Sequence, residues 1–234
     1  MVILGIDSSA KSVSAAVSKD GKIIGETFLN FGLTHSVTLM PIIENLYNNT
    51  GLSVDDTDAV AVTCGPGSFT GVRIGIATAK GICFKNNIKC CPVSTLEAIA
   101  YPLINSDATI VSVMDARRNQ VYNANFFSFD FSVSRITEDR AISLDDLGRE
   151  LSLISGKKIL IGDGADISYN YLIGKVDDLF ICSPELKFQR ASSACLIAND
   201  REDDFVESGK LEPVYLRPPQ AERMLRKKSE ENKI

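Results

Sequence analysis

Val2-Ile3-Leu4-Gly5-Ile6-Asp7-Ser8-Ser9 near the start and Ala108-Thr109-Ile110-Val111-Ser112-Val113-Met114-Asp115 further on decide the fold between them. Each is a short apolar run closed by an aspartate, and each leads through a turn into an alternating stretch. The first alternates over Ser12 to Ser18, the second over Gln120 to Phe127 after the turn Ala116-Arg117-Arg118-Asn119. A continuous apolar run of this length reads as a buried strand, and alternation reads as a strand with two different faces. Asp7 and Asp115 therefore occupy equivalent ends of two strand–acid–turn–strand units. A duplicated unit of this kind predicts an α/β chain of two similar lobes with a cleft between them.

The rest of each half fits that frame. Asp20-Gly21 is a two-residue hairpin signal, and Lys22 to Leu29 continues as a third strand. Leu39, Ile42, Ile43, Leu46 and Tyr47 recur at helical spacing, and Gly51 closes that helix. Ala59 to Thr63 predicts a buried strand, followed by a glycine-rich loop, a helix to about Phe84 and a strand over Ile88 to Val93. Ser94-Thr95-Leu96-Glu97 is a capping box. In the second half, Ser143-Leu144-Asp145-Asp146 opens a helix, Lys158 to Ile161 is a strand, and a helix lies near Ala191 to Ala198. The expected division is an N-terminal lobe over 1–104, a C-terminal lobe over 105–212, and a returning segment with a mobile tail over 213–234.

Composition narrows the chemistry. The 234 residues carry 25 Lys plus Arg against 30 Asp plus Glu, a net charge of −5, which argues against a free-standing nucleic-acid binder. There is no Trp, and His35 is the single histidine, so any imidazole-based dyad must use it. Its i+4 neighbour is Leu39 rather than a ligand, which makes a helix-start hydrogen bond the better reading of His35. The six cysteines form no CxxC pair and read as buried thiols in a reducing compartment. Neither a signal peptide nor a membrane span is read from the sequence, and a cytoplasmic location is expected.

Two further features have functional readings. Cys64-Gly65-Pro66-Gly67-Ser68-Phe69-Thr70-Gly71-Val72-Arg73-Ile74-Gly75 joins a strand to a helix, a place that favours anions. It lacks the lysine of a phosphate-binding loop, its glycines are spaced one residue too widely for a dinucleotide fingerprint, and it is no nucleophile elbow. Gly71, Gly75 and Ala79 then recur every four residues, a groove that admits a close neighbour such as the Leu39–Tyr47 helix, or a partner chain. Asp7 and Asp115 have the chemistry to hold Mg²⁺, whereas the serines after Asp7 and the arginines after Asp115 suit local pairing equally well. Both readings stay open.

ILGIDSSA, GPGSFTGVRIGIATAKGI, PVSTLEAIA, MDARRNQVYNANF, IGDGAD and the late PVYLRPPQAE together resemble the TsaB (YeaZ) family over nearly the whole chain. That resemblance implies an ASKHA-type fold of two ribonuclease-H-like lobes, each a mixed sheet flanked by helices. It implies a non-catalytic scaffold in the synthesis of threonylcarbamoyladenosine (t6A) in tRNA. Such a scaffold binds and activates the TsaD transferase in an assembly that includes the ATPase TsaE, and it reaches tRNA indirectly through that complex. The partner surface it implies comprises Leu39, Met40, Ile43, Leu46, Tyr47, Val72, Arg73, Gly75, Ile76 and Ala79, which also suits a homodimer when the chain is alone. Asp7, Ser8, Asp115, Gly162 and Gly164 mark a degenerate nucleotide cleft, and neither a cofactor nor a metal is expected. The alternative is an enzyme of the same superfamily, a small ATP-dependent phosphotransferase or a metallopeptidase-like hydrolase.

Overall fold

In the computed structural model, residues 1–32 and 34–217 are described. The tail expected over Gln220–Ile234 and the Pro218–Glu222 end of the late motif lie outside them. Strands β1 (Val2–Asp7), β2 (Val13–Lys19) and β3 (Lys22–Leu29) form an antiparallel meander. Asp20 and Gly21 turn its hairpin with φ of 51° and 73°, the left-handed pair that a two-residue turn requires. Helix α1 (His35–Thr50) leads to β4 (Ala59–Thr63), and α2 (Phe69–Asn86) leads to β5 (Lys89–Val93). Both of these strands run parallel to β1, giving the order β3-β2-β1-β4-β5. β1 and β4 are buried along their whole length, which is why their sequences are continuously apolar rather than alternating.

After α3 (Thr95–Ala100) the pattern repeats. Strands β6 (Ala108–Asp115), β7 (Gln120–Phe129) and β8 (Ser132–Arg135) form the second meander, and β9 (Arg140–Ser143) pairs with the other end of β7. Helix α4 (Leu144–Ser152) precedes β10 (Lys158–Ile161), and α5 (Ala165–Leu172) precedes β11 (Leu179–Ile181). The order β11-β10-β6-β7-β8 is the first sheet's order repeated, with β6 in the place of β1. Asp7 faces Ser14 across one hairpin and Asp115 faces Val121 across the other, so the two acids are equivalent. This is the α/β, ASKHA-type arrangement of two ribonuclease-H-like lobes.

The helices do not divide where the sheets do. α1 and α2 cover one face of the first sheet, where Leu39, Ile43 and Leu46 meet Leu4, Ile6 and Val60. The opposite face is covered by α6 (Ala191–Asn199), which follows the last strand of the second sheet. α3, which follows the last strand of the first sheet, packs through Leu96 and Ile99 on Ile110 and Phe126 of the second. The range 105–212 expected for the second lobe therefore needs correction, because α6 inside it belongs to the first sheet's core. Its small residues Ala191, Ala194, Cys195 and Ala198 let the helix lie close on β1, β2 and β4.

Two ties join the lobes away from this centre. Glu97 of α3 accepts both Arg201 guanidinium nitrogens and lies 3.7 Å from Arg135, which is itself paired with Asp139. The returning segment runs along the first lobe, with Val214 N–H donating to the Cys64 carbonyl at 2.7 Å. It reaches the second lobe where Arg217 donates to the Ala116 carbonyl at 2.8 Å. No helix among the described residues is long and apolar enough to cross a membrane.

Candidate functional site

The ends of β1 and β6 face a cleft of about 560 Å³ between the lobes. Its first-lobe wall is the β1–β2 turn at Ser9, Ala10 and Lys11, with Asn30 and the Gly67-Ser68 entry to α2. Its second-lobe wall is Met114 to Arg117, Tyr122, Asp163 and Asp166, and Lys187 and Phe188 close one side.

Asp7 is not on that surface. It is 1% exposed, and its carboxylate accepts the Ser9 N–H at 3.1 Å and the Ser9 hydroxyl at 3.0 Å. Burial pushes its pKa up to about 6 against the opposing pull of the Ser9 bonds, so the side chain is engaged within its own turn. Ser8 is buried too, and its hydroxyl donates to the Gly71 carbonyl at 2.8 Å. Asp115 does reach the cleft. It accepts the Arg117 N–H at 2.7 Å, and its own N–H donates to Asp163 Oδ1 at 3.1 Å. Asp163 is likewise pushed up by burial, partly offset by that N–H.

Gly162 and Gly164 are glycines because the loop after β10 lies against β6. A Cβ on Gly162 would sit 2.1 Å from the Val113 carbonyl oxygen, and one on Gly164 would sit 2.9 Å from the Met114 carbonyl carbon. They position Asp163 rather than open a nucleoside pocket. Asp166, the last residue of IGDGAD, completes the cleft together with Lys11, Asn30 and Lys187, which no sequence motif marks. Asp166 and Lys187 are paired with one another, which leaves the wall with both signs of charge in balance. A polyphosphate site needs an excess of cations and free N–H groups. Among the described residues no group of three His, Cys, Asp or Glu comes together that could hold a metal ion.

His35 is the first residue of α1, yet its bond is not a helix cap. Nε2–H donates 2.7 Å across to the Ala10 carbonyl and ties α1 to the cleft turn.

The helical surface differs most from expectation. Leu39, Ile43, Leu46, Tyr47, Val72, Ile76 and Ala79, expected to face a partner, are all buried in the core of the first sheet. Gly75 is buried against the Ser8 hydroxyl and the Val62 and Ile6 side chains, so the small-residue stripe admits strand β1 rather than another helix. Of the ten expected positions only Met40 and Arg73 are exposed. Helical periodicity identifies the apolar stripe but not what covers it, and here the sheet does.

What the two helices present outward is a different set. Met40, Val54, Ala77, Thr78, Gly81 and Ile82 line an open groove of about 780 Å³ between α1 and α2, joined by Ser53 and Asp55. Val37 and Phe84 are 68% and 82% exposed on the same two helices. Arg73 is held over the Phe69 ring at 3.9 Å and donates to the Tyr215 hydroxyl, so the returning segment braces the start of α2.

Residues 32–182 match the family model described as TsaD: tRNA N6-adenosine threonylcarbamoyltransferase. The chain is 33% identical over 146 residues to the tRNA threonylcarbamoyladenosine biosynthesis protein TsaB of Bacillus subtilis, covering 62% of this chain and 64% of that one. It is 29% identical over 224 residues to the protein of the same name in Escherichia coli, covering 93% and 95%. YeaZ from Pseudomonas aeruginosa, a solved structure, superposes with a TM-score of 0.75 at 20% identity over 92% of this chain and 99% of that one. That superposition shows a shared fold.

Proposed function

We propose, given that this chain belongs to the TsaB (YeaZ) branch of the TsaD family, that it is a non-catalytic subunit of the machinery that makes threonylcarbamoyladenosine in tRNA. It binds a TsaD-type transferase and holds it in its active form, in the cytoplasm, and touches tRNA only through that complex. A TsaE-type ATPase joins the same assembly. The chain needs no cofactor or metal of its own.

The observation that carries this reading is the outward face of α1 and α2. Met40, Ala77, Gly81 and Ile82 line an open apolar groove flanked by exposed Val37 and Phe84, whereas the Leu39–Tyr47 and Val72–Ala79 stripes of both helices are buried on the sheet. A groove between two helices suits a helix from a homologous lobe, with Met40 as an adaptable filler. The same face can pair with itself in the isolated chain. The enzymatic alternative requires the first-strand acid in the cleft, and Asp7 is sealed inside its turn.

The test is to mix the purified chain with its TsaD-type transferase and follow the complex by size exclusion and calorimetry. Wild type co-elutes, and Met40→Asp and Ala77→Asp, which place an unpaired charge in the contact, abolish the complex while the circular dichroism stays native. If both variants bind as wild type does, the docking face is elsewhere. If the chain alone transfers threonylcarbamoyl to tRNA, the non-catalytic reading fails.

A further inference from the structure

All six cysteines are free and buried, and two of them touch. Cys83 in the last turn of α2 and Cys90 in β5 bring their sulfurs to 3.3 Å, a thiol–thiol contact under the end of the helix. We propose that Cys83 and Cys90 are a modification site, an oxidisable pair that closes into a disulfide when the chain meets a hydroperoxide, and so staples the end of α2 to β5.

The geometry favours this pair over every other. A disulfide spans about 2.05 Å between sulfurs, so the two atoms need to close by little more than an ångström. Cys64, in the same core, donates its S–H to the Val62 carbonyl instead, and Cys195 faces the carbonyls of Ile3 and Ala16. Either thiol can donate in this contact, and the Lys80 charge favours the thiolate of Cys90. With Cys90 as the first nucleophile, the Lys80 charge supports the attacking thiolate, and the exchanged roles give the same disulfide.

Access comes from the helix end. Phe84, Asn86 and Asn87 are exposed, and Asn87 ends the helix in the left-handed region with φ 50°. A helix end with these three residues in solvent frays locally more often than the fold opens as a whole. Hydrogen peroxide is small enough to enter through such an opening. The Cys90 thiolate attacks one peroxide oxygen, the O–O bond breaks, and the products are a sulfenic acid and hydroxide, which takes a proton to become water. The Cys83 sulfur then attacks the Cys90 sulfur, the S–O bond breaks, and the departing hydroxide leaves with the Cys83 proton as a second water. Two thiols lose two electrons in all, and one peroxide is reduced to two waters.

The experiment treats the full chain alone with hydrogen peroxide, so its outcome is independent of any partner. Thiols are counted after denaturation, and the linked peptides are mapped by mass spectrometry. The expected result is the loss of two of six thiols, a mass decrease of two hydrogens, and a single Cys83–Cys90 cross-link that dithiothreitol reverses. Cys83→Ala should give no cross-link and should leave Cys90 trapped as a sulfenic acid. Six titratable thiols after exposure that fully oxidises a small dithiol, or a cross-link that joins other cysteines, would overturn the proposal. Mapping of the wild-type chain decides the matter even if the variant does not fold.

Discussion

The Ser8 hydroxyl donates to the Gly71 carbonyl at 2.8 Å, and a Cβ on Gly71 would lie 2.0 Å from the Ser8 carbonyl oxygen. The turn that follows β1 and the first turn of α2 are therefore in backbone contact. That contact is the physical reason for glycine in a helix that otherwise loses about 0.5–1 kcal/mol by carrying it.

Gly71→Ala is expected to cost about 1–3 kcal/mol, because the Ser8 backbone has to shift. Gly81→Ala lies in the same helix with nothing within 4 Å of the added carbon, and it should be neutral or stabilise by up to about 1 kcal/mol. Urea unfolding of the two variants side by side checks the pair. Equal effects would mean that the close approach at Ser8 does not exist.

The raised pKa of Asp7 makes stability depend on pH. Its carboxyl binds a proton more tightly when folded, with a pKa of about 6, than when unfolded near 3.8. Between those values the native chain carries more protons than the unfolded one, so stability falls as pH rises from about 4 to 6 and the penalty is fully present above 6. A shift of this size corresponds to about 3 kcal/mol. Asp163 moves in the same direction, so the informative quantity is the difference between wild type and Asp7→Asn. That difference should change by roughly this amount between pH 4 and 7 in urea titrations, and a flat difference would show that Asp7 is not desolvated.

Glu97 ties α3 to Arg201 and Arg135 from a side chain 11% exposed. Glu97→Ala removes the carboxylate partner of Arg201, while Arg135 keeps Asp139, and should cost about 1–2 kcal/mol in thermal or chemical unfolding. The Arg149–Asp146 pair sits in solvent on α4, and Asp146→Asn there should change stability by less than about 1 kcal/mol. Equal losses would mean that the Glu97 network is no stronger than a surface pair.

Substituting aspartate into the two faces of α1 should separate folding from docking. Leu39→Asp buries a charge at a site 1% exposed and should leave the chain largely unfolded, read by loss of the cooperative melting transition. Met40→Asp, one residue on, should melt within a few degrees of wild type. A cooperative, native-like melt for Leu39→Asp would place that side chain outside the core.

Much of this protein is local, and what is local was legible in the residues. The apolar runs ending at Asp7 and Asp115, the Asp20-Gly21 turn, the stop at Gly51 and the capping box at Ser94 report backbone geometry within a few residues of themselves. The strand–acid–turn–strand duplication, and with it the two-lobed fold, could be read for that reason. β8, β9, β11 and α5 were not read, because at three to eight residues their patterns carry too few periods to stand out.

What only the tertiary structure decided is which neighbour each surface meets. The repeat of Leu39, Ile43 and Leu46 states that one side of α1 is apolar, and the same repeat would serve a partner chain or the chain's own sheet. Gly71 and Gly75 state that something comes close, and only the folded chain shows that it is Ser8. Asp7 could bind a ligand or cap its own turn, and its burial with its carboxylate on Ser9 selects the second. Periodicity and turn chemistry are properties of a single segment, whereas burial and exposure belong to pairs of segments far apart in sequence, brought together only when the layers assemble.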